Sequence, residues 1–296
     1  NSGRSVTSFN EGTGVKTIMN ITDEYILFID SGLGGMSVMD TLIQRKCGYP
    51  IAFYADAKHF PYGEKSVYEI ASFLEDIYKF AISKFTVKMI VIACNTASIS
   101  AIDKLRAVVD VPVVGTVPAI KTAAELTKNG NIGVIATKTS VKQNYLSDLA
   151  NKFAVGSNVY ICGTENLATA VEEEVNGADL QELLAKELAF FADKNIDTLV
   201  LGCTHYTFLK DALNDFFQGK VRIIDSCDGV TRRILSLLPE SSCKSLNYNC
   251  LFLNDIKRLE QYERWNQNYK WFQEIFVEDG TWKKVEYCGG SDLFSM

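Results

Sequence analysis

VIACNTASI, residues 91–99, closes an apolar run on Cys94 and follows it with Asn95, Thr96 and Ser98, side chains that hydrogen-bond. LVLGCTHYT, residues 199–207, repeats the shape around Cys203, with Thr204 and His205 behind it. A short run rich in Ile, Val and Leu is the pattern of a strand buried on both faces of a parallel sheet. For one such cysteine alone, a buried structural thiol is the default. Two in matched settings point instead to a shared site.

Working outward, the same strand pattern recurs in YILFID (25–30), IAFYAD (51–56), MIVIAC (89–94), VPVVGT (111–116), IGVIAT (132–137), VYIC (159–162), TLVLGC (198–203) and VRIID (221–225). Most of the intervening stretches are long enough for crossover helices. One of them, 66–85, spaces Val67, Ile70, Leu74, Ile77, Ala81 and Phe85 at helical intervals. Alternating strands and helices predict an α/β protein with mainly parallel sheet. The chain also repeats itself. Asp30 precedes Cys94 by 64 positions, and Thr137 precedes Cys203 by 66. Two similar halves would set two cysteine-bearing loops face to face, beyond the carboxyl ends of the strands, where ligands bind in such sheets. The predicted organisation is a polar, flexible leader (1–24), a first α/β domain (25–118 with 226–296) and a second (119–225).

The totals exclude several classes. A net charge of −6 argues against a nucleic-acid face, which needs clustered Lys and Arg. No apolar run is long enough to predict a membrane span, and the first 24 residues lack the core of a signal peptide. The eight cysteines include no C-x-x-C pair, so a zinc ribbon or thioredoxin-type site is not expected, and a reducing, cytoplasmic compartment with free thiols is. Asp30, Cys94, Cys203 and His205 could in principle hold zinc, but the close ligand spacing is missing and Asn95 and Thr96 would have no purpose there. No metal is predicted. At the other end, Tyr262, Trp265, Tyr269, Phe272 and Phe276 step by three and four, predicting an amphipathic helix, and Asp279-Gly280 in FVEDGTWKKVEY predicts a small surface hairpin.

Within FIDSGLGGMSV (28–38), Gly32, Gly34 and Gly35 permit close approach of backbone amides to an anion, although neither a dinucleotide fingerprint nor a phosphate loop is present. The stretch 56–66 bends at Pro61 and Gly63, which turns Tyr62 toward a cleft and leaves His59 on the surface. A thiol at a strand end that opens a helix feels the helix dipole, so Cys94 is predicted to ionise below the usual value of about 8.5. His205, two residues beyond Cys203, can hold or relay a proton near neutrality.

These residues carry a resemblance. FIDSGLGG, PYGEKS, VIACNTAS, VVGTVPAI, GVIATKTS and LVLGCTHYT, in this order over roughly residues 25–260, resemble the cofactor-independent aspartate/glutamate racemase superfamily, and CNTAS with CTHY resembles its glutamate branch. The resemblance implies two similar α/β domains about a pseudo-twofold axis, with the site in the cleft between them. It implies racemisation of glutamate without pyridoxal phosphate or any other cofactor, one thiolate removing the Cα proton while the opposite thiol donates one. Cys94 and Cys203 match the acid/base pair, Asp30 the carboxylate assisting the first thiol, and His205 the group assisting the second. Glu172, in LATAVEEE, is assigned to a family acid near the second cysteine, with a solvated helix face as the alternative, since three glutamates in a row leave the register open. Ser31, Tyr62, Gly63, Asn95, Thr96, Ser140 and Thr204 match substrate-holding positions, shared with Asp30 and His205. Thr139, Thr207 and Cys227 depart from the family pattern, where Gly, Pro and Gly are usual. The resemblance further implies D-glutamate for peptidoglycan, a homodimer, and no nucleic-acid or membrane partner. A racemase for aspartate or another amino acid is the alternative, and an interaction protein using the aromatic tail is a third reading.

Overall fold

The computed structural model describes residues 4–8, 24–239 and 248–287. Cys243 and Cys288, and most of the expected leader, lie outside them. The chain opens with β1 (Arg4–Ser8), β2 (Glu24–Asp30), β3 (Ile51–Ala55), β4 (Thr86–Ile92) and β5 (Val113–Gly115). It then forms a second sheet from β6 (Asn131–Thr137), β7 (Asn158–Thr164), β8 (Thr198–Leu201) and β9 (Arg222–Ile224). It returns to the first sheet with β10 (Cys250–Leu253), β11 (Glu274–Asp279) and β12 (Thr281–Tyr287). All eight apolar runs become strands.

Every pairing among β2–β11 is parallel, and only β12 runs antiparallel, to β11 on one side and β1 on the other. Successive residues of β2 fall alternately into two apolar clusters, Ile26 and Phe28 on one face, Tyr25, Leu27 and Ile29 on the other. That is the period of two expected of a strand with both faces covered. The helix at Val67–Ile82 covers one face through Ile70, Leu74, Ile77 and Ala81, and starts at a capping box in which Ser66 and Glu69 bond each other's backbone N–H.

The internal repeat is present in the topology. The first sheet contains the order β3-β2-β4-β5, and the second is β7-β6-β8-β9. Equivalent strands occupy equivalent places, and the backbone agrees in detail. Ala93 N–H donates to Ile29 O at 2.8 Å, and Gly202 N–H donates to Ile135 O at 2.7 Å, each just before its cysteine.

Two expectations fail. Arg4–Ser8, placed in a flexible leader, pairs with β12, because the hairpin leaves an open edge whose backbone groups accept any short extended segment. The aromatic helix ends early. It spans Leu259–Tyr269 and stops where Lys270 turns left-handed, so Phe272 follows it in the connection and Phe276 lies in β11. The β-prone EIFVED run wins because β10 offers it a parallel partner, and the hairpin it begins belongs to the main sheet rather than the surface. The six described cysteines are free thiols, and no helix among the described residues is long and apolar enough to cross a membrane.

Candidate active site

Cys94 lies two residues beyond β4 and opens the helix Asn95–Arg106; Cys203 lies two residues beyond β8 and opens the short turn Thr204–Leu209. Both are extended at the backbone and both are 7% exposed. They are near enough that charge on Cys203 raises the pKa of Cys94. The parallel sheets place both at carboxyl ends of central strands, as the repeat predicted.

Around Cys94 the partner is acidic. Asp30, the last residue of β2, is fully buried. Ser31 Oγ donates to its Oδ1 at 3.3 Å, and Thr204 Oγ1, from the other half, donates to Oδ2 at 3.2 Å. Burial raises the Asp30 carboxyl, with His205 and the Ser31 and Gly35 N–H groups pulling the other way. Cys94 corrects the prediction. Burial lifts its thiol well above the usual range and the Asp30 charge lifts it further, while the Ala97 N–H at the helix start and the Ser31 hydroxyl only partly offset them. Desolvation of a thiolate outweighs one turn of helix dipole.

Around Cys203 the partner is a cation. Its Sγ lies 3.8 Å from His205 Nδ1, and His205 Nε2 lies 2.9 Å from Glu172 Oε1. Burial works against a charged imidazole, yet Cys203 and Glu172 together hold His205 well above its ordinary value. Burial likewise works against the Glu172 carboxylate, yet His205, the Leu33 N–H and Arg258 hold it below its usual range. The structure thus brings Glu172 to His205. It also identifies the anion that the glycine loop accommodates. Leu33 N–H donates to Glu172 Oε1 at 2.8 Å, and a Cβ on Gly32 or Gly34 would collide with Glu172 or His205. The loop is glycine-rich because the second half's charged pair is pressed against it.

The remaining predicted residues divide between lining and support. Asn95 donates through Nδ2 to Thr116 O at 3.4 Å, and its Oδ1 is buried without a partner among the described residues. A buried acceptor left open is costly unless a ligand fills it. Thr96 Oγ1 lies 3.2 Å from Thr137 Oγ1 and 3.3 Å from Ser140 Oγ, a hydroxyl triangle joining the two halves. Tyr62 is buried, and its hydroxyl donates to Asp56 Oδ2 at 2.5 Å. The Gly63 carbonyl accepts from Thr139, again across the halves. His59 is half-buried, stacked on Phe73 and 2.7 Å from Asp56. Cys227, a third buried thiol, donates to Ser37 Oγ at 3.7 Å and is pushed up to about 12, by burial first and by Asp225 next, which keeps it protonated.

Thr137, Arg258 and Gln261 escaped the sequence reading as site residues. Thr137 had a signal, since it ends β6 as Asp30 ends β2. Arg258 and Gln261 had none, because they follow β10 and touch the site only through Glu172.

The sequence profile of the Asp/Glu/hydantoin racemase family matches residues 34–234, more than half of the chain. A glutamate racemase of Sphingopyxis alaskensis is 42% identical over 220 residues, 73% of this chain and 82% of that protein. One from Clostridium perfringens is 37% identical over 74% of this chain and 84% of its own length. Among solved structures, Escherichia coli glutamate racemase, in complex with L-glutamate and the activator UDP-MurNAc-Ala, superposes with a TM-score of 0.77 at 31% identity, covering 86% of this chain and 98% of that one. The Francisella tularensis glutamate racemase in complex with D-glutamate gives 0.71 at 27% identity, over 87% and 98% of the two chains.

Proposed function

From the chain's place in the Asp/Glu/hydantoin racemase family, to which it belongs as an amino-acid racemase, we propose that it interconverts L- and D-glutamate, with Cys94 and Cys203 as the two acid/base groups and no pyridoxal cofactor. One observation carries the assignment of roles. Two buried thiols end equivalent strands of a topological repeat, one beside a carboxylate and the other beside an imidazole held charged. The Cα–H bond breaks as a thiolate takes the proton, the electron pair spreads into the substrate carboxylate, and the opposite thiol delivers a proton to the other face. Cys94, whose thiol is raised by burial and by the Asp30 charge, is placed as the donor, and Cys203, 3.8 Å from His205 Nδ1, is placed as the base. The reverse direction exchanges the roles.

The Cα proton of an amino acid is weakly acidic, so the barrier must fall through exclusion of water, close placement and donors aimed at the developing enolate-like carboxylate. Asn95, Thr96 and Ser140 supply an amide and hydroxyls for that purpose, while Ser31 and Thr204 hold Asp30 in place. The open Oδ1 of Asn95 suits the substrate ammonium. Backbone amides and hydroxyls, rather than lysines, bind the substrate. Lys138 supports this, being exposed and paired with Glu165. Residues 25–118 with 226–296 and 119–225 are the two domains that close on the substrate. The product supplies peptidoglycan in the cytoplasm, and the working unit is a homodimer.

Circular dichroism of L-glutamate with the purified protein, in D2O without pyridoxal phosphate, tests this. Loss of optical activity with deuterium at Cα, abolished in Cys94→Ser and in Cys203→Ser, is the expected result. Racemisation of aspartate in its place would keep the chemistry and change the substrate, and silence with both would end the proposal.

A further inference from the structure

Glu172 is where three distant parts of the chain meet. Its Oε1 accepts from the Leu33 N–H at 2.8 Å and lies 2.9 Å from His205 Nε2. Its Oε2 accepts from Arg258 Nη1 at 3.0 Å and Gln261 Nε2 at 3.2 Å. The Gln261 amide also donates to the Glu172 backbone carbonyl. The Glu172 side chain is 1% exposed and that of Arg258 29%, so the pair is largely shielded from water. Arg258 and Gln261 come from the turn Ile256–Arg258 and the helix Leu259–Tyr269, which carry none of the cysteine motifs. Arg258 is held from a second side, its guanidinium 5.1 Å over the Phe60 ring, and that ring lies 5.4 Å from the imidazole of His205.

A carboxylic acid and an imidazole buried together have two ways to share a proton. In a poorly solvated site the neutral arrangement competes, because two charges lose their hydration. A fixed guanidinium and a backbone N–H on the carboxylate favour the ionised arrangement, which leaves both imidazole nitrogens protonated and Nδ1–H facing the sulfur of Cys203. The other groups that feel this pair are Asp30, across the site, and the buried Tyr262, which stands among Glu172, Arg258 and Asp30. Asp30 favours the imidazolium too, but it is also the partner of Cys94.

We propose that Arg258, aided by Gln261, is a positioning residue for the half-reaction carried by Cys203: it holds Glu172 as a carboxylate, and so keeps His205 a cation aimed at that thiol, without acting on the Cys94 half-reaction. This rests on the two-thiol reading above. A mere staple between the C-terminal helix and the second half would affect both thiols alike.

Racemisation cannot separate the two halves. The equilibrium constant between enantiomers is one, so kcat/KM must be equal in both directions in every variant. A 3-chloroglutamate separates them. Once a thiolate takes the Cα proton, the electron pair forms the Cα–Cβ double bond and chloride leaves with the C–Cl pair; the enamine tautomerises and hydrolyses to 2-oxoglutarate and ammonia. No second thiol is needed, so each enantiomer at Cα reports on one base. The enantiomer served by Cys203 is the one whose elimination is lost in Cys203→Ala and retained in Cys94→Ala.

With Arg258→Gln, elimination from that enantiomer is expected to fall about tenfold or more, with its rising pH limb moved to higher pH. Elimination from the other enantiomer should stay within about twofold. Arg258→Lys should restore most of the loss, and Gln261→Ala should give a smaller loss of the same handedness. Equal losses for both enantiomers, or no loss for either, would overturn the inference while leaving the two-thiol reading intact. A wild-type protein that eliminates from neither enantiomer and racemises no glutamate would end that reading, and the inference with it.

Discussion

Cys94 and Cys203 occupy the same place in two copies of one strand arrangement, and their surroundings carry opposite charge. Both follow the third strand of a four-strand unit and both are 7% exposed. Yet Cys94 faces Asp30, which raises its pKa, while Cys203 faces His205, whose positive charge is held in place by Glu172. A repeated backbone therefore supplies position, and unrelated side chains supply the distribution of protons. Under the proposed two-thiol reaction, one face of Cα meets a base and the other an acid, and this unequal pair supplies one of each.

The largest test is removal of either thiol. Cys94→Ser and Cys203→Ser should each lower racemisation by about a thousandfold, followed by circular dichroism, and the double variant should be little worse than either, since residues acting as a unit are not additive. A serine variant with near wild-type activity would break the comparison at its root. The partners sharpen it. Asp30→Asn and His205→Gln should each cost about a hundredfold in kcat. Their pH profiles should separate: removing the Asp30 charge moves the rising limb of kcat/KM to lower pH, and removing the His205 cation moves it to higher pH.

A stability comparison comes next. Gly32→Ala forces a methyl against Glu172 and His205 and should lower stability by about 1–3 kcal/mol in urea unfolding. Gly229→Ala, with nothing within 4 Å, should stay within about 0.5 kcal/mol of wild type. The last expected effect is on pH dependence. The pKa of His205 is raised on folding, so its contribution to stability is full below about pH 6.5 and is lost as pH climbs toward the folded value. Glu172 is lowered, so its contribution is full above its unfolded value and is lost only in acid. Between about pH 6.5 and 8, wild-type stability should therefore decline, by no more than about 1.4 kcal/mol per pH unit for one proton, and His205→Gln should flatten the decline.

Much of this was legible before any coordinates. The eight apolar runs became strands because a strand with both faces covered leaves a local signature of short β-branched segments. The spacing of Asp30, Cys94, Thr137 and Cys203 anticipated the repeated strand order. Where competition between partners mattered, local pattern failed. Phe276 continued a helical stripe, but β10 offered its segment a parallel edge. The run CLFL, which forms β10, carried the usual strand signal and went unread. The open Oδ1 of Asn95 and the hydrogen bond from Tyr62 to Asp56 have no counterpart in a linear motif.

The amino-acid sequence by itself determined the α/β class, the repeat and the two thiols at strand ends, because each is written in residues close along the chain. Only the tertiary structure decided what those thiols face. Leu33 and Glu172 meet across 139 positions, and Arg258 and Glu172 across 86. The direction in which Cys94 is shifted depends on how completely water is removed from it and on which charge is left beside it. Both are properties of surfaces brought together by folding, and neither is carried by the residues on either side of the cysteine.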